Sequence, residues 1–190
     1  MKKLFLLLAV VALGFTACDK ENGNSNIPKV GTLVTKDGVK GVVFYADDNV
    51  TKIVSVEQTA LAWSTVYEQT DAADMNDGSK NMEKVQNMEK WETNYPAFKW
   101  CAEYGQGWYL PAYTELEQIY ANREAINAAL SAKGYKTLVL EHTGPTKSWY
   151  WSSTECSAPY VGAYGCPFAN GDTIGCGKEA AMYVRAVLAY

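Results

Sequence analysis

The chain has 190 residues, with 21 acidic against 17 basic side chains and a formal net charge of −4. So few cations cannot neutralise a run of phosphates, which excludes nucleic acid as a partner. The length suits one globular domain behind an N-terminal leader, and no internal repeat or second domain is marked.

Lys2 and Lys3 precede an apolar run from Leu4 to Phe15, the layout of an export signal. That run is too short to span a bilayer. It closes on Phe15-Thr16-Ala17-Cys18, which resembles the lipobox of bacterial lipoproteins, with Phe15 in place of the usual Leu. The resemblance implies that residues 1–17 are removed and that Cys18 is lipidated. Two or more acyl chains, each buried methylene contributing about 0.8 kcal/mol, would then hold the protein to a membrane without spanning it. The expected place is the cell envelope, at the outer membrane, and loss of Lys2 and Lys3 takes the mature charge to about −6. An ordinary cleaved signal followed by a chance cysteine is the alternative. Residues 18–29 are polar, rich in Asn and Gly, and read as a flexible tether. Residues 30–190 form the expected domain.

Within it, Gly41 to Tyr45 and Lys52 to Val56 are short β-branched and aromatic runs separated by Ala46-Asp47-Asp48-Asn49, which predicts a hairpin. From Ser79, a plausible N-cap, Met82 and Val85 recur at helical spacing. Pro96 suits the first turn of a second helix, with Phe98, Cys101 and Ala102 on one face and Gly105 at its end. Thr114 and Glu117 form an expected capping box for a helix burying Leu116, Ile119 and Tyr120. Asn122 caps a further stretch, with Ile126 and Leu130 inward, before Gly134. Beyond it Thr137 to Leu140, Trp149 to Ser153, Tyr164 to Ala169 and Tyr183 to Leu188 read as strands, with an Asn170-Gly171 turn. Helices flanked by β structure predict an α+β domain.

Three clusters follow in order: Gly107-Trp108-Tyr109-Leu110-Pro111 with Glu115-Leu116, then Tyr150-Trp151-Ser152-Ser153-Thr154-Glu155, then Phe168-Ala169-Asn170-Gly171 leading to Tyr183-Val184-Arg185-Ala186-Val187. Together they resemble the Lcl C-terminal-like family, also met as the Fibrobacter-major paralogous domain, within the C-type-lectin superfamily. The resemblance implies a C-type-lectin-like fold in which the first and last strands, Gly41 to Tyr45 and Tyr183 to Leu188, pair and bring the termini together. It also implies two to three helices and a loop-rich C-terminal half whose loops meet ligands at the opposite end.

Enzymatic chemistry finds little support in the residues. Ser152, Ser153 and Thr154 have no histidine placed to activate them, since His142 is the only one. One histidine without a cysteine or carboxylate cluster makes no metal site, and Glu155, Asn170 and Asp172 stand apart from one another, so neither metal nor cofactor is expected. Cys101, Cys156, Cys166 and Cys176 form an even set in an exported chain, which permits disulfides without fixing their pairing.

Residues 156–177 contain one charged side chain, Asp172, and no Lys, Glu, Gln, Met or Trp. Those five are the residues that an Asn codon cannot reach by changes at its two adenines. The gap resembles the outcome of adenine-directed diversification by a diversity-generating retroelement, whose targets are similar lectin-fold lipoproteins. A Gly-rich surface loop is the plainer explanation. The expected ligand-binding set is Trp149, Tyr150, Cys156, Ser157, Pro159, Tyr160, Tyr164, Gly165, Cys166, Asn170, Asp172, Gly175 and Cys176, with the varied positions exposed. Tyr, Ser, Gly and Asn bind many shapes at low entropic cost. A lipid-anchored, non-enzymatic binding or adhesion protein for a protein or glycan ligand is therefore expected. The alternatives are a structural envelope lipoprotein and an oxidase of the formylglycine-generating type.

Overall fold

The computed structural model describes residues 27–140, 148–156, 162–168, 171 and 174–190. Cys18 and His142 lie outside them. Among the described residues the chain is α+β, with nine strands in two sheets and five helices.

The first sheet holds β1 (Leu33–Lys36), β2 (Val39–Ala46), β3 (Thr51–Ser55) and β9 (Val187–Ala189), in the order β1-β2-β3-β9. The expected hairpin is β2 with β3, antiparallel, with a bulge between Val43 and Tyr45. Val42, Val43 and Phe44 are consecutive and all buried, so β2 is covered on both faces.

The helices follow a short strand, β4 (Thr59–Leu61): α1 (Gly78–Gln86), α2 (Trp91–Asn94), α3 (Pro96–Tyr104), α4 (Tyr113–Ala121) and α5 (Arg123–Ser131). Both α4 and α5 pack on β2. Trp63, Tyr95 and Phe98 meet edge to face, with ring centroids 4.8 to 6.3 Å apart, and tie the exit of β4 to α3.

The second sheet has the order β4-β8-β5-β6-β7, from β5 (Trp149–Glu155), β6 (Gly162–Pro167), β7 (Ile174–Gly177) and β8 (Met182–Val184). The chain then crosses back to the first sheet at Arg185-Ala186. Buried Arg185 fixes that crossing by donating to the carbonyls of Ser55 (2.6 Å) and Lys136 (2.6 Å) and to Gln58 Oε1 (3.1 Å).

Several expectations are corrected. The run Tyr183 to Leu188 is two strands in two sheets, and its second part pairs with β3 through Ile53↔Leu188, not with Gly41 to Tyr45. β1 and β9 occupy opposite edges of the first sheet. Among the described residues there are five helices where the resemblance implied two to three, and the C-terminal half, implied to be loop-rich, carries five strands: those expected near 149, 164 and 183, the last of them divided in two, and β7, which was not expected. Thr137 to Leu140 forms no strand, because Asn127 satisfies its backbone: Leu138 N donates to Asn127 Oδ1 (2.7 Å) and Asn127 Nδ2 donates to Leu138 O (3.3 Å). Asp77, not Ser79, caps α1, accepting from Ser79 N at 3.0 Å. At α4 the capping carboxylate is Glu115, which takes the Ala112 N–H (2.9 Å), while the Thr114 hydroxyl donates to Met75 O.

Buried Glu115 also joins three other elements. Its carboxylate accepts from Lys52 Nζ (2.7 Å), Tyr109 OH (2.9 Å) and Gly78 N (3.1 Å). One side chain thus satisfies a free N–H at the start of two helices and neutralises a lysine on β3.

Candidate functional site

The candidate segment begins on β5. Its Trp151 Nε1 donates to Leu61 O (3.1 Å), and Trp63 Nε1 donates to Ser152 O (2.9 Å), which ties the strand to β4 and its exit although β8 lies between them in the sheet. The hydroxyls that follow are buried and engaged. Ser152 Oγ donates to Tyr164 O (2.8 Å), Ser153 Oγ accepts from Asn81 Nδ2 (3.0 Å), and Thr154 Oγ1 donates to Asp74 O (2.9 Å) while accepting from Tyr113 N (3.0 Å). This run is the fastening of β5 to α1, α4 and β6.

Glu155 ends β5 at 6% exposure, and Lys178 follows β7 at 1%. Their side chains meet in a buried ion pair, Lys178 Nζ against Glu155 Oε1. Glu155 Oε2 accepts from Thr70 N (2.9 Å), Asp71 N (3.1 Å) and Thr70 Oγ1 (3.2 Å). Lys178 Nζ also donates to Glu68 O (2.7 Å) and sits 4.3 Å from the Trp63 ring centroid. Both charges are therefore paired and hydrogen-bonded, the condition under which burial is tolerated. Sequence reading treated Glu155 as isolated and missed Lys178. The available signal was their position, one at each end of a nearly uncharged stretch.

Between these two residues, β6 pairs with β5 and β7 in an antiparallel ladder in which Tyr164 faces Gly175 and Ala163 faces Cys176. The Tyr164 ring is half-buried and meets Tyr113 of α4 edge to face at 5.5 Å. Gly175 and Gly177 are exposed and Cys176 is half-buried. Trp149 is half-buried, and its indole nitrogen finds no acceptor among the described residues.

The expected exposure fails at three of the varied positions, since Cys156, Gly165 and Cys166 are buried, and Tyr150 of the expected binding set is buried as well. Tyr150 packs against Phe168 (4.4 Å) and Tyr183 (5.3 Å), and its hydroxyl donates to Gln58 and accepts from Val139 N (2.9 Å). Burial pushes that phenol up to about 12. Cys156 Sγ lies over Gly175, 2.8 Å from where a Cβ would stand, and Cys166 Sγ donates to Gly171 O at 3.8 Å. Burial raises the Cys156 thiol and pushes Cys176 up to about 11, which leaves both protonated near neutrality. Ser157, Pro159, Tyr160, Asn170 and Asp172 lie outside the described residues. Of the expected set, the structure brings Trp149, Tyr164, Gly175 and Cys176 to accessible or half-accessible places on the strands β5 to β7. Among the described residues no cluster of His, Cys, Asp or Glu could hold a metal ion, and no helix is long and apolar enough to cross a membrane.

No protein-family model matches the chain, and no curated protein matches it. A solved structure of similar fold is a fimbrial protein from Bacteroides ovatus, with a TM-score of 0.57 and 18% identity over 74% of this chain. The match covers 36% of that protein, so this chain spans about a third of it. At that identity the likeness is one of fold.

Proposed function

We propose that the chain is a lipid-anchored, non-enzymatic binding or adhesion domain of the bacterial cell surface, with a C-type-lectin-like build. It is tethered through Cys18 and meets a protein or glycan through the face of β6 and β7 and the residues joining them. The observation that carries this reading is the make-up of those strands. Tyr164 stands half-exposed beside Tyr113 on backbone that is fixed by buried polar groups. A rigid aromatic among small residues offers contact area at low entropic cost. The fold shared with part of a fimbrial protein supports a place at the cell surface.

Replacing Tyr160 and Tyr164 with Ala should abolish capture of surface glycans or proteins on an array while thermal unfolding stays within about 3 °C of the parent. Unchanged capture would reject this face as the binding site. Cys18→Ala should abolish incorporation of labelled palmitate. A neighbouring near-identical repeat of codons 156–177, differing at adenines, would identify the segment as diversified.

The fimbrial description of the fold neighbour also favours a second reading, a structural envelope subunit without a soluble ligand. On that reading Tyr164→Ala changes self-association in analytical ultracentrifugation and leaves ligand capture at background in both proteins.

A further inference from the structure

We propose that the outer edge of β7 takes an extended peptide as an added strand of the second sheet, with a Lys or Arg of that peptide held at Tyr67 and Glu179. This deepens the binding reading, on which it rests, by naming a basic peptide as the ligand class.

β7 ends the second sheet on one side, and Gly175 and Gly177 are exposed there. The direction of their backbone groups follows from β6. Gly162 O accepts from Cys156 N (2.8 Å) and Tyr164 O accepts from Ser152 Oγ (2.8 Å), so both carbonyls face β5. Backbone groups alternate in direction along an antiparallel strand. Ala163 and Gly165 therefore bond to Cys176 and Ile174 of β7, while Gly177 and Gly175, opposite Gly162 and Tyr164, turn their N–H and C=O outward. Among the described residues a turn takes Gly177 O, which accepts from Ala180 N (3.2 Å), and leaves Gly175 N, Gly175 O and Gly177 N to an incoming strand. Neither glycine has a side chain to hold a second backbone off, and neither Lys nor Pro blunts this edge. The other edges are answered: β9 by the bridge from Tyr109 to Val187, β4 at its exit by Ala97 N donating to Ala62 O (3.2 Å), and β1 by Lys36.

The charge of the peptide follows from what stands at the end of this edge. The Glu179 carboxylate oxygens lie 2.7 and 2.8 Å from where a Cβ at Gly177 would stand, and the carboxylate, beside the Tyr67 hydroxyl, raises that phenol above its ordinary value. Tyr67 is 71% exposed, the most of any large apolar side chain among the described residues. Its neighbours hold it there. Ser64 Oγ donates to Val66 O (2.9 Å) and accepts from Val66 N (3.1 Å), and Glu68 O accepts from Lys178 Nζ (2.7 Å). Lys178, next to Glu179 in the chain, is buried against Glu155 and does not neutralise Glu179. A fixed aromatic ring beside an unneutralised carboxylate attracts an ammonium or guanidinium group by cation–π contact and charge-assisted hydrogen bonding together.

The probes are peptides enriched on the full chain from a displayed library of random dodecapeptides, resynthesised and titrated by fluorescence anisotropy. The enriched peptides should carry Lys or Arg. N-methylation of alternate backbone amides in the bound stretch should weaken Kd about tenfold, and of the amides between them less than about twofold, because only one set faces β7. Tyr67→Ala and Glu179→Gln should each weaken Kd about tenfold while Tm moves by less than about 3 °C. Failure to enrich any peptide, equal effects of N-methylation at every amide, or binding unchanged by both variants overturns the proposal. If it fails in any of these ways while Tyr164→Ala still abolishes glycan capture, the binding reading stands. If the parent protein captures neither peptides nor glycans, both fall.

Discussion

The two sheets are held together by different forces. In the first, β2 and β3 present Val42, Val43, Phe44, Ile53 and Val54, all fully buried, and the register follows from where the apolar side chains go. In the second, β5 buries Ser152, Ser153, Thr154 and Glu155 in succession, and β6 and β7 contribute glycines at 162, 165, 175 and 177. Apolar burial in this sheet is concentrated at Tyr150 and Trp151 at the start of β5, and along the rest of that strand buried hydrogen bonds and one ion pair fix its position. Polar contacts at its base, from Ser152, Ser153 and Thr154, therefore fix where the outer strands of this sheet stand.

The largest effect that would break this contrast is at Lys178. Lys178→Met leaves the Glu155 carboxylate buried without a cation and should lower the unfolding free energy by about 3–5 kcal/mol in urea titration. A loss under about 1 kcal/mol would mean that the second sheet is held by its apolar contacts after all. Ile53→Val removes one methylene from the apolar sheet and should cost about 1 kcal/mol. Its effect should be additive with Lys178→Met, since the two act through separate sets of contacts. The smallest effect is a pH dependence at Asp74, whose carboxyl is held below the usual range chiefly by the backbone N–H of Asn76, with Asp77 N–H and Lys80 adding to it. A lowered folded value means that its contribution is complete above the ordinary carboxylate range and is lost as pH falls through the lowered value. Asp74→Asn should therefore lower stability slightly above about pH 5, leave it unchanged at low pH, and so flatten the acid limb of the stability curve.

Much of the first sheet was legible because its signal is local. The β2–β3 hairpin, Pro96 at the start of α3 and the paired helices α4 and α5 rest on short-range patterns of branching, capping and periodicity. What escaped depends on distant partners. Periodicity marks Tyr183 to Leu188 as extended but cannot show that Arg185 turns it from one sheet into the other. Two glutamates stand near the start of α4, and only the positions of Lys52, Gly78 and Tyr109 select Glu115 over Glu117. Of the candidate site, Tyr164, Gly175 and Cys176 were placed where a surface reading expects them, whereas Tyr150, Cys156, Gly165 and Cys166 were not. Residue type alone does not tell a binding tyrosine from one packed between Phe168 and Tyr183. The Glu155–Lys178 contact spans 23 positions, and its one trace in the sequence is a pair of opposite charges bounding a nearly uncharged stretch.

The Glu115 carboxylate has a consequence for the order of folding. Its partners at Lys52 and Gly78 lie 63 and 37 positions away, so the four donors converge only after β3, α1 and α4 have docked. Contacts of that range form after the local helices and the hairpin, because each closes a long stretch of chain. Loss of that carboxylate is therefore felt by the finished molecule more than by its assembly. The chain would reach its native topology at nearly the usual rate and leave it sooner, a shortened residence in the folded state with little change in the approach to it.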